Sequence, residues 1–132
     1  MEHALRAALI DWLRTGPAPL GTLNAVEEEA PLRASLPWLG IAASASADWS
    51  TKDAKGREIR VAIELASRGD DIPADGALVR AIDARACDLP RLQEGFHIAG
   101  LTFLRARTER RAKNRRSTLL EYRFRCLETR NP

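Results

Sequence analysis

The sequence is short of the side chains that do chemistry. It holds two histidines, His3 and His97, and two cysteines, Cys87 and Cys126, in 132 residues. The cysteines lie far apart, form no CxxC and sit in no Cys/His cluster, so the spacing of a zinc site is absent. Both read as small buried hydrophobes in a reducing compartment, and both histidines as ordinary surface or edge residues. There is no Gly-rich phosphate loop, no serine elbow and no HExxH. No group of residues supplies a nucleophile with its base or a metal cage, so the sequence points to no catalytic residue, no cofactor and no metal, and disfavours an enzyme. No apolar stretch approaches the ~20 residues that cross a bilayer. The N-terminus also lacks the basic start and long apolar run of a signal peptide. The expectation is a soluble protein made in the cytoplasm, with no membrane partner. Aromatic residues are scarce as well, at 5%, and three of the seven are tryptophan.

What is present is the material of a small globular domain. Apolar residues make up 45% and charged residues 30%, and residues 1–132 are expected to form a single domain. A chain of this length buries roughly two-thirds of its unfolded surface without help from a metal or disulfide. The net charge of +3 conceals an asymmetry: residues 1–100 carry 11 basic and 15 acidic side chains, residues 101–132 carry 10 basic and 3 acidic. A basic C-terminal quarter suggests a polyanion or an acidic protein surface as neighbour.

Periodicity supplies the elements. Leu5, Ala8, Leu9, Trp12 and Leu13 form one stripe of a helix over 2–14, closed by Gly16-Pro17. "LNAVEEE" at 23–29 reads as a short edge strand, and its three glutamates as a solvated patch. "PWLGIAASASADW" at 37–49 reads as a strand, with Leu39, Ile41, Ala43, Ala45, Ala47 and Trp49 on one face; a helix over 41–47 is the competing reading. Small residues on both faces imply a close neighbour above that strand. A turn at 50–56 leads to a strand over 57–66, whose Ile59, Val61, Ile63 and Leu65 share a buried face. Arg68-Gly69-Asp70 reads as a turn, with Asp70 or Asp71 placed to cap a helix that starts at Pro73. Leu78, Val79, Ile82 and Ala86 carry that helix over about 74–87, and Asp88-Leu89-Pro90 closes it. Strands over 97–107 and 117–127 complete the chain. The sum is an α+β domain: a mainly antiparallel sheet of four to five strands with two helices on one face. The other face, with Arg60, Glu64, Arg123 and Arg125, is polar.

The strongest local signal is "RARTERRAKNRRS" at 105–117, where seven of thirteen residues are basic against one glutamate. Between two strands it reads as a hairpin with a positive tip where Arg110, Arg111, Lys113, Arg115 and Arg116 crowd together and keep the loop mobile. It is either a solvated loop that protects a sheet edge or a contact for phosphates or acidic protein. No aromatic interleaves the arginines, so any nucleic-acid contact is to the backbone and without sequence preference.

With these elements placed, "EHALRAALIDWLR", "DWSTKDAKGREIRVAIELASR" and "LLEYRFRC" resemble the tail-completion proteins of long-tailed phages, also encoded in gene transfer agent clusters. The resemblance covers about residues 3–128 and is most specific from Trp49 to Arg68. One departure is Pro37-Trp38, where the family commonly has Pro-Tyr. The resemblance implies a virion protein assembled in the host cytoplasm. It implies a tail terminator like the lambda-type ones, whose hexameric ring caps the tail tube and joins it to the head connector. Its partners would be its own copies, the tail tube protein, the head–tail connector protein and passing DNA through phosphates only. Trp49, Arg110, Arg111, Lys113, Arg115 and Arg116 are then the candidate partner-binding residues. A head–tail connector or stopper, and a small non-specific nucleic-acid-binding module using hairpin 105–117, are the alternatives.

Overall fold

The computed structural model describes residues 1–129. Helix α1 spans Glu2–Arg14, with Glu2 in its first turn and Arg14 in its last, each matched to the helix dipole. A single 3-10 turn at Leu20–Thr22 follows, then strand β1, Val26–Glu27. Strands β2, Trp38–Asp48, and β3, Gly56–Arg68, form a long antiparallel hairpin. Helix α2 spans Ile72–Cys87, and the Asp71 carboxylate accepts from the Ala74 N–H at 3.1 Å, the cap expected from the sequence. Strands β4, Leu92–Gln93, β5, Phe96–Arg110, and β6, Arg115–Glu128, complete the chain.

The sheet has six strands in the order β1-β2-β3-β6-β5-β4, rather than four to five. All pairs are antiparallel except β1 with β2. The additional strand is β4, two residues long. It exists because Gly95, at φ 85°, permits a tight turn back, and because the Ile98 N–H donates to the Arg91 carbonyl at 2.7 Å.

Both helices cover one face of this sheet. Leu5, Leu9 and Leu13 of α1 and Ile82 of α2 are fully buried with Ile59, Ile63 and Leu65 of β3, all at 0% exposure. Tyr122, Phe124 and Cys126 of β6 share the same cluster. The Tyr122 hydroxyl donates to the Asp83 carboxylate at 2.6 Å, so this buried phenol is satisfied from α2. Burial and that hydrogen bond push the Tyr122 phenol far above its ordinary value, and burial pushes the Cys126 thiol up to about 11. Cys126 is the buried thiol the sequence suggested; Cys87 is only half-buried and leans on Asp83 at 3.6 Å.

Two expectations need correction. The register between β2 and β3 slips between Ile41 and Ala43. This bulge moves Ala43, Ala45 and Ala47 to the face opposite Leu39 and Ile41, paired with Ala62, Arg60 and Glu58. The close neighbour expected above this strand is found only at its start, where residues 29 and 30 lie within 3.3 Å of a Cβ placed on Gly40; every residue from Ala42 to Asp48 is exposed, with Arg6 reaching Ser44 at 3.4 Å. The basic stretch is also mostly strand. β5 and β6 pair as far as Arg110 opposite Arg116, leaving only residues 111–114 as the turn.

Candidate assembly surface

The sheet face away from the helices is covered at its Trp38, Ala66 and Ser117 end, where residues 29 and 30 pass close over Gly40, and is open over the rest. Its centre is a charge lattice. Glu58 accepts from Arg125 at 3.1 Å and lies 3.6 Å from Arg123, and Arg105 forks onto Glu121 at 3.0 and 3.1 Å. Beside the lattice lies a strip of small side chains, Ala43, Ala45, Ala47 and Ala62. Of these, Ala43, Ala45 and Ala62 line a shallow depression of about 170 Å³ with Arg60 and Glu121. The sequence marked Arg60, Glu64, Arg123 and Arg125 as a polar face. It gave no sign that Glu58 pairs with Arg123 and Arg125, or Glu121 with Arg105, because such pairs are neighbours only across strands.

Each tryptophan lies beneath an arginine. Arg85 stacks over Trp12 at 3.3 Å, Arg115 over Trp38 at 5.2 Å and Arg125 over Trp49 at 5.6 Å. Their burial differs. Trp38 is 5% exposed, whereas Trp49 is half-buried, outside the core cluster, at the end of the β2–β3 hairpin. The Trp49 N–H donates to the Gly56 carbonyl at 3.0 Å, and a Cβ at Gly56 would lie 2.4 Å from the Trp49 carbonyl oxygen. Only glycine allows the two strands to close this tightly.

The basic hairpin separates into two groups. At the tip, Lys113 and Asn114 have φ of 59° and 58°, and the Arg115 N–H donates to the Ala112 carbonyl at 3.3 Å, a type I′ geometry. Asn114 holds the turn: its side-chain oxygen accepts from Arg110 at 2.7 Å, and its carbonyl accepts from the Gly69 N–H at 2.9 Å. Arg111 and Lys113 project from this turn, exposed. Arg115 and Arg116 fold back instead. Arg115 lies 3.7 Å from Glu64 and Arg116 3.6 Å from Asp75, with the Arg116 side chain 19% exposed. Of the six partner-binding candidates, Trp49, Arg110, Arg111 and Lys113 are therefore available at the surface. Arg115 and Arg116 mainly tie the hairpin to β3 and α2.

The acidic run beside β1 is partly paired with α1. Glu27 lies 3.5 Å from Arg14 and Glu28 lies 3.8 Å from Arg6, while Glu29 is exposed. No three His, Cys, Asp or Glu side chains among the described residues gather in a way that could hold a metal ion.

A family model described as "Tail completion protein gp17" matches residues 7–127. The chain belongs to this tail completion family. It is thus a structural tail protein of phage-like virions. A solved structure titled "Virion of native gene transfer agent (GTA) particle" contains a chain with the same fold. Its TM-score is 0.70 at 26% sequence identity, and the match covers 96% of each chain. No curated protein sequence matches. The tail completion assignment coincides with the resemblance carried by Trp49 to Arg68, the segment that forms the β2–β3 hairpin end and β3.

Proposed function

We propose that this tail completion protein is a tail terminator: a chain that assembles into a closed ring, stops growth of the tail tube and joins it to the head connector. The observation that carries this reading is the tail completion family match across nearly the whole chain, and the geometry agrees with it. Much of one sheet face, with its alanine strip and charge lattice, lacks a cover within the described chain. Such a small-residue centre with a charged rim suits contact with a flat protein neighbour. Six copies are the expected number, and the tube protein and connector are the expected partners on either side of the ring.

The basic tip, Arg110, Arg111 and Lys113, faces an acidic protein surface in this reading, and DNA passing through the particle meets it only through phosphates. A lumen that gripped phosphates would slow DNA passage. The contacts of one polar face are individually weak and gain strength by multiplicity. The isolated protein is therefore expected to be monomeric or weakly associated when dilute and to form rings when concentrated or at tube ends. Light scattering across a concentration series, with electron microscopy of tubes mixed with the protein, tests this. A stable two-fold dimer at every concentration, or tubes whose ends stay bare, would refute it. A stopper role predicts rings that bind the connector but leave tube length uncontrolled. A nucleic-acid module predicts a monomer that shifts duplex DNA at moderate salt.

A further inference from the structure

The sheet ends in two open edges. β1 covers β2 only at Leu39 and Gly40, and β4 covers β5 only at Phe96 and His97. Beyond those pairs, Ala43–Asp48 on one side and Ala99–Arg110 on the other have no strand beside them among the described residues. An open edge invites another chain, and natural proteins usually block it with charge or proline. Here the β2 edge is Ala, Ser, Ala, Ser and Ala from residue 43 to 47, with neither.

The hydrogen-bond alternation shows which groups are free. The Trp49 N–H donates to Gly56, so Ala47, Ala45 and Ala43, opposite Glu58, Arg60 and Ala62, also turn their backbone toward β3. Ser44, Ser46 and Asp48 then turn theirs outward. On the other edge the Arg111 N–H donates to the Arg115 carbonyl at 2.6 Å, so Arg105, Arg107 and Glu109 face β6, and Ala106, Thr108 and Arg110 face outward.

We infer that the two edges are made for each other: the β2 edge of one copy adds antiparallel to the β5 edge of the next. This inference rests on the ring reading and names its contact. Three observations select a second copy as occupant. First, β2 and β5 run in opposite directions within the sheet, so a neighbour in the same orientation continues the sheet antiparallel. Second, side chains fit on both faces. Ser44 and Ser46 would meet Thr108 and Ala106 on the helix side, and the alanines of β2 would lie beside the Arg105 and Arg107 stems on the other. Third, pairing Ser44 with Thr108 runs the hairpin tip, with exposed Arg111 and Lys113, toward exposed Glu29 beside β1 of the neighbour. That is charge complementarity at the one place where both runs are concentrated. The contact joins different surfaces of two identical chains, so it propagates head to tail and closes into a ring when the sheet twist completes a turn.

Substituting Ser46→Pro tests this. It removes an outward N–H and no hydrogen bond within the subunit, and Ala45 before it is already extended. The full chain carrying Ser46→Pro is expected to melt like the wild type, yet to need at least about tenfold more protein to form rings, the factor for one lost backbone hydrogen bond and its steric block. In wild-type rings, amide exchange at Ser44, Ser46, Asp48, Ala106 and Thr108 is expected to slow at least about tenfold relative to the dilute monomer. That measurement stands even where a variant misfolds. Lys113→Glu and Glu29→Lys are each expected to weaken assembly, and the pair together to restore it. If the wild type forms rings while these amides exchange as in the monomer, or Ser46→Pro assembles normally, the edge contact is wrong and the ring stands. Protection that arises only when tube protein is added also overturns it, since the occupant is then a different chain. If the wild type forms no ring on its own or on tubes, the ring reading falls first.

Discussion

Replacing Trp49 and Trp38 separately tests whether Trp49 serves assembly, with Trp38 as the core residue of the same type. Trp38 is 5% exposed beneath Arg115, so Trp38→Ala leaves a cavity and is expected to cost about 3–5 kcal/mol. Trp49 is half-buried outside the core cluster, and Arg125 stacks over it at 5.6 Å. Removing it forfeits a cation–π contact of roughly 0.5–1 kcal/mol and a similar amount of partial burial, about 1–2 kcal/mol in all. For a chain of this size each kcal/mol moves the melting temperature by roughly 3–5 °C. Trp49→Ala should therefore melt about 3–10 °C below wild type, and Trp38→Ala at least about 10 °C below. If Trp49 also anchors a protein contact, its loss costs about 2 kcal/mol or more of association, roughly thirtyfold in assembly concentration. Thermal melting by circular dichroism and sedimentation across a concentration series give both numbers. The reasoning fails if Trp49→Ala melts as low as Trp38→Ala, or if it assembles at the wild-type concentration.

Gly56→Ala is expected to destabilise by about 1–3 kcal/mol, because the new Cβ meets the Trp49 carbonyl oxygen at 2.4 Å. Gly21→Ala, with nothing within 4 Å of its Cβ, is the control that should melt like wild type. Burial raises the Cys126 thiol from 9.0 to about 11, so its contribution is intact below about pH 9 and is lost as pH rises toward 11, by up to ~1.4 kcal/mol per unit. Denaturant melts from pH 8 to 11 should show a shallower decline for Cys126→Ala; an unchanged slope would refute the assignment. Reversing Arg110, Arg111 and Lys113 to glutamate should leave the melting temperature within a few degrees yet abolish ring formation and tail capping. Normal particle assembly by this variant would show that the tip is merely solvated.

Legibility from sequence followed how local the cause was. Strand β3 could be read because Ile59, Val61, Ile63 and Leu65 alternate with polar residues, and all four are buried. Helix α2 could be read because Asp71 and Pro73 signal its start. The facing of β2 could not, because the bulge after Ile41 falls within a run of alanines and serines whose two faces look alike in sequence. β4 was hidden by its length: two residues carry no period. The basic hairpin looked like a loop because charge dominates its composition. Yet Thr108 and Thr118 bridge the two hairpin strands at 3.2 Å, and Ser117 donates to Glu64 of β3 at 2.5 Å, fixing the hairpin to the sheet almost to the turn. For the candidate assembly surface, the tip residues were marked by their charge and Trp49 by the family resemblance. The open edges were invisible, since an edge is defined by what the rest of the sheet fails to cover.

The charge of the hairpin decides what kind of partner it suits. Seven basic residues from Arg105 to Arg116 meet four carboxylates: Glu121 by Arg105, Glu109 by Arg107 and Arg111, Glu64 by Arg115 and Asp75 by Arg116. The excess is three positive charges, and it sits at the tip. Arg110 there is held by the neutral Asn114 side chain, and Lys113 has no carboxylate partner among the described residues. A protein that grips a polyanion spreads unpaired cations along a groove, and each phosphate contact adds to its salt dependence. A short, fixed turn presenting two or three unpaired cations suits a small acidic patch instead. Exposed Glu29, beside the partly paired Glu27 and Glu28, is such a patch on this same chain. A ring whose basic tips are spent on neighbouring glutamates offers passing DNA little to hold. Assembly should therefore weaken with salt in the same range that affects duplex binding, while the salt slope for duplex stays shallow, near that of two or three phosphate contacts per copy.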